Sequence, residues 1–83
     1  MMELDKMEKS FLNVVVGQSA ENGYKRTKIF KINPLKAGLP KSQLHRYILK
    51  LKYKGYIEYH WETEEFKLSS AFRIKLNTGE LKS

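Results

Sequence analysis

Apolar residues recur at helical spacing in two stretches of the chain. In the first stretch they stand three or four positions apart, at Leu4, Met7, Phe11, Leu12 and Val15. This spacing predicts an amphipathic helix from about Glu3 to Gln18, followed by a loop over 19–23 that is rich in turn-forming residues. The valines at 14–16 leave a strand over 11–16 as an alternative, because β-branched side chains lose rotamer freedom in a helix. We favour the helix.

The second helical stretch lies between Pro40 and Gly55. A proline is tolerated in the first turn of a helix and a glycine commonly follows the last turn, so the sequence predicts a helix over about 41–54. One side of it is apolar: Leu44, Tyr47, Ile48 and Leu51. The opposite side is mostly polar and cationic: Ser42, Arg46, Leu49, Lys50 and Tyr53, with Gln43 at its edge and Lys41 near the start. The pattern predicts a buried stripe behind a cationic outward face.

After Gly55 the apolar spacing changes from helical to alternating. Ile57, Tyr59 and Trp61 alternate with Glu58, His60 and Glu62, and Phe72, Ile74 and Leu76 alternate with Arg73 and Lys75. These patterns predict an antiparallel hairpin with its tip at about 63–70 and its end at 77–79. If Phe66 and Leu68 continue the second strand, the turn shortens to 63–65 and the hairpin becomes a long ribbon. Too few residues then remain for a C-terminal helix.

The segment between the two helices fits two arrangements. In the first, Thr27 caps a short helix over 28–33, and a longer turn over 34–38 follows. In the second, 28–32 is a short strand and a helix opened by an Asn-Pro pair runs over 33–37. A short apolar run is compatible with both, and we favour the first.

The stretch that begins at Leu39 combines three features. Leu-Pro-Lys-Ser-Gln-Leu opens the helix, apolar residues follow at helical spacing, and Lys-Gly-Tyr-Ile at 54–57 ends it. This pattern resembles the recognition helix and first wing strand of winged helix-turn-helix DNA-binding proteins, in which Lys-Gly-Leu-Ile marks the same step. Arg-Thr-Lys-Ile at 26–29, followed by Ser-Gln-Leu at 42–44, is most similar to the small archaeal members. The likeness covers about residues 11–80, and 34–38 looks like an insertion.

The resemblance implies an α+β fold, with a single winged helix-turn-helix domain over 1–83 in which three helices precede a two-stranded antiparallel wing hairpin. It also implies a sequence-specific double-stranded DNA-binding protein that regulates transcription. The helix over 41–54 would enter the major groove and the wing would lie near the flanking backbone. The alternatives are a winged-helix module that binds RNA or a protein partner, and a nonspecific, chromatin-like DNA binder, because a fold alone does not settle function.

Charge is unevenly distributed along the chain. The formal net charge is +7, ten of the sixteen Lys and Arg residues lie between Lys25 and Lys54, and no Asp or Glu occurs over 22–57. An unopposed basic block of this size favours a polyanion as partner. The chain lacks cysteine and shows neither a signal peptide nor a membrane-spanning apolar run. We therefore expect a cytoplasmic, nucleoid-associated protein, in a host cytoplasm if a virus or plasmid encodes it.

Side-chain chemistry assigns three groups of nucleic-acid contacts. Groups able to read base edges in the major groove are Ser42, Gln43, His45 and Arg46. Groups suited to backbone phosphates are Lys25, Arg26, Thr27, Lys28, Lys41 and Lys50. The predicted wing contributes Lys67, Arg73 and Lys75, which would bring it to the flanking backbone or minor groove. Glu64 and Glu65 near the wing tip would be repelled by phosphate.

Other chemistry receives little support from the sequence. His45 and His60 are the only good metal ligands, and no motif spacing joins them to carboxylates. A solvated wing accounts for the acidic residues Glu58, Glu62, Glu64 and Glu65 better than a magnesium site does. No catalytic triad, phosphate-binding glycine loop or dinucleotide motif occurs, so we expect neither an enzyme nor a cofactor, and no small-molecule effector is evident from the sequence.

A homodimer is expected, because short domains gain stability by pairing and a two-fold protein reads two half-sites. The predicted interface is the first helix, through Leu4, Met7 and Phe11.

Overall fold

The computed structural model describes residues 2–78, which form four α-helices, a short 3-10 helix and three β-strands. In chain order these are α1 (Lys6–Glu21), β1 (Thr27–Lys28), the 3-10 helix (Ile29–Lys31), α2 (Pro34–Ala37), α3 (Lys41–Tyr53), β2 (Ile57–His60), β3 (Glu65–Leu68) and α4 (Ser70–Thr78). The α+β class is confirmed, whereas the expected count of three helices and two strands is wrong by one helix and one strand. Within residues 2–78, no helix combines the length and the apolar character needed to cross a membrane.

Helix α1 begins later than predicted, because Asp5 caps it. The Asp5 carboxylate accepts a hydrogen bond from the Glu8 amide at 2.8 Å, and the Glu8 carboxylate accepts one from the Asp5 amide at 2.9 Å. This reciprocal capping box satisfies amides that the first turn would otherwise leave unpaired. The strand alternative over 11–16 is wrong, since Phe11 and Val15 are buried at helical spacing. The helix also includes residues 19–21, so the predicted loop is reduced to a turn that begins at residue 22.

The segment before α3 combines parts of the two predicted arrangements. Residues 29–31 are helical, as a 3-10 helix within the favoured range, whereas the helix opened by an Asn-Pro pair belongs to the other arrangement. The longer turn favoured over 34–38 is wrong. Thr27 does not cap a helix, because it pairs with Phe66 in the sheet and is buried. Asn33 instead caps α2, where its side chain accepts a hydrogen bond from the Leu35 amide at 2.9 Å. The strand itself is shorter than predicted, since the chain turns into the 3-10 helix after Lys28.

Helix α3 confirms the prediction over 41–54 to within one residue. It ends at Tyr53, and Gly55 follows at φ 89°, a left-handed conformation that glycine adopts without steric cost. The predicted apolar stripe faces the core: Leu44, Ile48 and Leu51 are buried and Tyr47 is half-buried. The helix packs against α1 on one side and against β2 on the other.

The hairpin is shorter than either predicted form. A turn over 61–64 connects β2 to β3, and the two strands pair with Tyr59 opposite Phe66. Phe66 and Leu68 belong to the second strand, as the ribbon alternative expected, but the strand ends at Leu68. Strand β1 then joins on the other side of β3, so the sheet is antiparallel with the order β1-β3-β2.

Residues 70–78 form α4 rather than the strand predicted over 72–76. Ser69 starts this helix, because its hydroxyl accepts a hydrogen bond from the Phe72 amide at 3.2 Å. Phe72 is buried, and its ring lies 5.1 Å from that of Tyr56. The expectation that no C-terminal helix follows the sheet is therefore wrong.

The burial of α4 also follows helical spacing. Phe72 and Leu76 contact the core, whereas Ile74, which a strand would place on the same face, is 62% exposed. The predicted end of the sheet at 77–79 is wrong for residues 77 and 78, which belong to α4, and residue 79 lies outside the described residues.

Two residues of the predicted dimer interface are part of the core of a single chain. Leu4 and Phe11 are 7% and 0% exposed, respectively, and only Met7 presents a large part of its side chain. An interface built from these three residues is therefore wrong, because two of them already contact their own chain.

Candidate nucleic-acid interface

The outward face of α3 brings two of the four predicted base-reading residues together. Ser42 and Arg46 are both exposed, and they lie about 40° apart around the helix axis at about 100° per residue. Tyr53 continues the same row and is 78% exposed. Leu49, which was predicted for this face, is half-buried and packs against the core. Within residues 2–78, no hydrogen bond or ion pair engages the Arg46 guanidinium. Its donors are therefore available to a ligand.

The other two predicted base-reading residues flank this row on opposite sides. Gln43 is half-buried and lies about 60° from Arg46 around the axis. His45 lies about 100° away on the side of β2, where its ring meets that of Tyr59 edge to face at 5.4 Å. The predicted set of four is therefore divided into a central pair and two flanking residues.

Cationic groups border the outward face of α3. The Lys50 ammonium lies 4.7 Å from the centre of the Tyr47 ring, and the Lys52 ammonium lies 5.7 Å from that of Tyr53. These cation–π contacts keep both charges close to the helix. Lys41 is exposed in the first turn, where the positive end of the helix dipole also favours anions. No Asp or Glu occurs in α3, so the helix presents positive charge alone.

The C-terminal end of α3 is fixed by a buried ion pair. Lys54 Nζ lies 2.6 Å from Oε1 of Glu8, whose side chain is 2% exposed. The hydrogen bond from Lys54 and that from the Asp5 amide hold the pKa of Glu8 below its ordinary value, despite the opposing effect of burial. The Met2 amide donates to the Lys54 carbonyl at 3.1 Å, and the Tyr56 hydroxyl donates to the Met2 carbonyl at 2.8 Å. Lys54 thus positions α3 instead of adding to its cationic face.

The predicted phosphate contacts are carried by two different parts of the structure. Lys41 and Lys50 belong to α3, which packs on β2 at one edge of the sheet. Lys25, Arg26 and Lys28 lie on or just before β1, at the other edge. With strands about 4.8 Å apart, the two edges are separated by about 10 Å.

Two residues at the β1 edge are already bound within the chain. Thr27 is 3% exposed, and its hydroxyl donates to the Lys25 carbonyl and accepts from Asn22 Nδ2, both at 3.1 Å. Its prediction as a phosphate contact is therefore wrong. Lys28 Nζ donates to the Thr63 carbonyl at 2.8 Å, which draws this ammonium group to the hairpin turn.

Only one of the three basic residues predicted for the wing lies in the hairpin. Lys67 is on β3, directly opposite Glu58 on β2. Arg73 and Lys75 lie in α4, and the Arg73 guanidinium sits 4.4 Å from the centre of the Tyr24 ring. Their prediction as wing residues is wrong, because the segment that carries them is helical.

The tip of the hairpin is acidic and carries an exposed tryptophan. The turn contains Glu62 and Glu64, both exposed, and Trp61, which is 73% exposed. Burial and the nearby Glu64 carboxylate raise the pKa of Tyr59. Alternation predicted that Trp61 would share the buried face of Tyr59, but β2 ends at His60 and the tryptophan falls in the turn. A surface of this charge repels phosphate.

Neither histidine belongs to a metal-binding group. Among residues 2–78, no three His, Asp or Glu side chains come together in a way that could hold a metal ion. His45 contacts the Tyr59 ring, and Nε2 of His60 is buried without a hydrogen-bond partner in the described part of the chain.

The sequence analysis missed two exposed basic residues. Lys52 could have been found by including the flanks of α3 with its outward face. Lys31 lies in the 3-10 helix, and no local pattern distinguished that element from the helix favoured there. The favoured helix would have packed Phe30 against the first and third helices, and this is wrong because Phe30 is 64% exposed.

The candidate interface is thus the outward face of α3 with its bordering lysines, and the core and Glu8 support the helix from the opposite side.

Comparisons of the chain with protein-family models, curated proteins and solved structures found no match.

Proposed function

We propose that this protein is a winged-helix protein that binds double-stranded DNA sequence-specifically, with α3 as its recognition helix. The element order α1-β1-α2-α3-β2-β3 suits such a module, in which α2 and α3 form the helix-turn-helix and β2 and β3 form the wing. The turn between α2 and α3 spans residues 38–40 and begins with Gly38 at φ 68°. Short turns that contain glycine are typical of helix-turn-helix units.

The observation that carries the proposal is the exposed, acid-free face of α3. The helix has 13 residues, which corresponds to a length of about 20 Å. A helix is about 10–12 Å wide with its side chains, and the major groove of B-DNA is about 12 Å wide. The outward face therefore fits the groove in size, and its charge complements the phosphates on either side.

The side chains on this face have the chemistry that base readout requires. Arg46 can donate two parallel hydrogen bonds to O6 and N7 of guanine, and Ser42 can donate to or accept from any base edge. Gln43 and His45 reach neighbouring bases from the two flanks of the helix. Lys41, Lys50 and Lys52 bind phosphates and set the register without reading sequence.

The fixed position of α3 also supports the proposal. The Glu8–Lys54 ion pair and the hydrogen bonds of Met2 hold the end of the helix before any ligand arrives. A preorganised recognition element loses less conformational freedom on binding, and this raises affinity without further contacts.

The role that follows from sequence-specific binding is regulation of transcription through occupancy of a DNA site. The location that follows is the cytoplasm in association with the nucleoid, or a host cytoplasm if a virus or plasmid encodes the protein.

The test begins with selection of a preferred duplex from a random pool. Affinity is then measured for that duplex, a scrambled duplex, duplex RNA and single strands. We expect the selected DNA duplex to bind most tightly. Arg46→Ala should cost about 1–3 kcal/mol on the selected duplex and less on the scrambled one. Lys9→Ala removes one exposed positive charge from α1 and should leave the ratio of the two affinities unchanged.

Two outcomes would contradict the proposal. A preference for RNA or single strands would make the protein an RNA-binding module. Equal losses on both DNA duplexes for Arg46→Ala would make Arg46 a phosphate contact, and the protein would then be a nonspecific, chromatin-like binder.

A further inference from the structure

The hairpin turn presents an aromatic side chain on a rigid frame. Trp61 is 73% exposed at the start of the turn. The turn is held by Thr63, whose amide donates to the His60 carbonyl at 3.3 Å and whose carbonyl accepts from Lys28 Nζ at 2.8 Å. An aromatic side chain on a fixed backbone loses little conformational freedom when another molecule covers it. Trp61 therefore has the properties of an interface anchor.

The surroundings of this tryptophan are acidic. We call Trp61 together with Glu62 and Glu64 the acidic tip. Four of the nine Asp and Glu residues of the chain lie over 58–65, and no Lys or Arg occurs over 55–66. The acidic tip is thus an apolar anchor between negative charges, and DNA does not complement it.

An exposed surface of the opposite charge adjoins the acidic tip. We call it the basic shoulder; it consists of Phe30 and Lys31 from the 3-10 helix and Leu35 and Lys36 from α2. Phe30 is 64% exposed, Leu35 is 90% exposed, and both lysines are exposed. The 3-10 helix adjoins the acidic tip, because the Ile29 amide, one residue before Phe30, donates to the Glu64 carbonyl at 2.9 Å. Helix α2 follows the 3-10 helix after residues 32 and 33.

We propose that two copies of this chain associate with two-fold symmetry, the acidic tip of each covering the basic shoulder of the other. A two-fold interface needs a self-complementary surface, in which each patch finds its partner patch on the second copy. Adjoining patches of opposite charge, each with exposed apolar side chains, meet this requirement. Within one chain the two patches do not cover each other, since Trp61 and Phe30 both remain largely exposed.

A second copy fits better than the other partners that could cover these patches. Phosphate is repelled by Glu62 and Glu64. A different protein would have to supply both a basic apolar surface and an acidic apolar surface, whereas this chain carries both. Neither patch contains Ser42 or Arg46, and the association does not depend on DNA binding, so it can be tested without nucleic acid.

The first measurement uses the only tryptophan of the chain, Trp61, as a reporter of its own burial. We expect its fluorescence emission to shift to shorter wavelength as protein concentration rises, in parallel with a monomer–dimer equilibrium seen by sedimentation. The titration extends to about 1 mM, so that even a millimolar dissociation constant is detected. A monomer at every concentration, with unchanged emission, would overturn the proposal.

The second measurement uses charge reversal. Glu62→Lys with Glu64→Lys reverses the charge of the acidic tip. Lys31→Glu with Lys36→Glu reverses the charge of the basic shoulder. Each variant alone should associate at least about tenfold more weakly. In its two-fold dimer, patches of like charge would face each other at both of the tip–shoulder contacts. An equimolar mixture should recover association as a heterodimer, since the two reversed patches complement each other and so do the two native ones.

A matched control separates the contact from overall charge. Glu3→Lys with Ser10→Lys and Asn13→Lys raises the net charge by four, as the reversal of the acidic tip does, at exposed positions of the N-terminal segment and α1. This control should dimerise like the unaltered protein. Leu35→Ser changes no charge and should weaken dimerisation on its own. Circular dichroism and thermal unfolding identify variants that remain folded.

Failure of the mixture to recover association, with both variants folded, would overturn the pairing of tip with shoulder. Weakening by the Glu3, Ser10 and Asn13 control equal to that of the tip reversal would also overturn it, because the effect would then follow net charge.

Discussion

The outward face of α3 and the hairpin tip are both exposed on rigid backbone, yet they carry opposite charge. The α3 face presents Arg46 among lysines and contains no acid. The tip presents Trp61 between Glu62 and Glu64, in a stretch without Lys or Arg. They are also held differently, since α3 rests on a buried apolar stripe and an ion pair, whereas the tip is held by hydrogen bonds to its backbone carbonyls.

This difference shows that net charge alone does not say which surface of a basic protein binds a polyanion. A charge of +7 would suit a uniformly basic protein, but four of the nine acidic residues of this chain lie over 58–65, in a stretch without Lys or Arg. One surface is thereby suited to phosphate and a neighbouring surface is unsuited to it.

The largest expected effect is that of salt concentration on the affinity for DNA, because only the α3 surface is suited to phosphate. If α3 and its surroundings neutralise about six phosphates, affinity for duplex DNA should fall about 1000-fold between about 50 and 200 mM salt. The measurement is a plot of log affinity against log salt concentration. A nearly flat plot would remove the phosphate contacts from the proposal.

The control for this experiment lies at the tip. Glu62→Gln with Glu64→Gln should leave the slope of that plot unchanged on a short duplex that holds one copy. A changed slope would mean that the tip lies close to the DNA backbone.

Glu8→Gln should cost about 2 kcal/mol of unfolding free energy. The substitution removes the charge that Lys54 pairs with and weakens the capping box of α1, so a partly buried ammonium group is left without its counterion. The measurement is urea unfolding at neutral pH. Glu3→Gln, at an exposed site, is the matched control and should change stability little.

The same pair predicts the direction of a pH effect. The folded-state pKa of Glu8 lies below its ordinary value of 4.5, so the stabilisation is fully present above the unfolded-state pKa and is lost as pH falls through the folded-state pKa. The advantage of the unaltered protein over Glu8→Gln should therefore shrink at acidic pH. A constant difference between neutral and strongly acidic pH would contradict this role of the ion pair.

Helix α3 could be predicted because its signals are local and agree. The apolar stripe, the proline before the helix and the glycine after it all lie within the segment itself. The same periodicity placed Ser42 and Arg46 on the outward face correctly. Lys54, by contrast, pairs with Glu8 on α1, and no pattern around residue 54 reveals that partner.

The segments that were predicted wrongly depend on distant contacts. Phe72 and Leu76 fit helical spacing, but with Ile74 between them they also fit alternation. The Ser69 cap and the packing of Phe72 on Tyr56 stabilise the helix over the strand. Strand β1 likewise exists only because Thr27 meets Phe66 across the sheet, and that pairing buries a residue that the sequence assigned to phosphate.

Lys50 and Lys28 provide the finest test of the separation between the two surfaces, because both were predicted as phosphate contacts and only one belongs to α3. Lys50 borders the outward face above the Tyr47 ring, so Lys50→Ala should lower the slope of log affinity against log salt by about one. Lys28 reaches the Thr63 carbonyl in the turn that carries Glu62 and Glu64, so Lys28→Ala should leave the slope unchanged. Both variants lose one positive charge, and the comparison is therefore independent of net charge. If both variants lower the slope equally, the hairpin turn lies beside the DNA backbone together with α3. If Lys50→Ala does not lower the slope, this flank of α3 does not contact DNA.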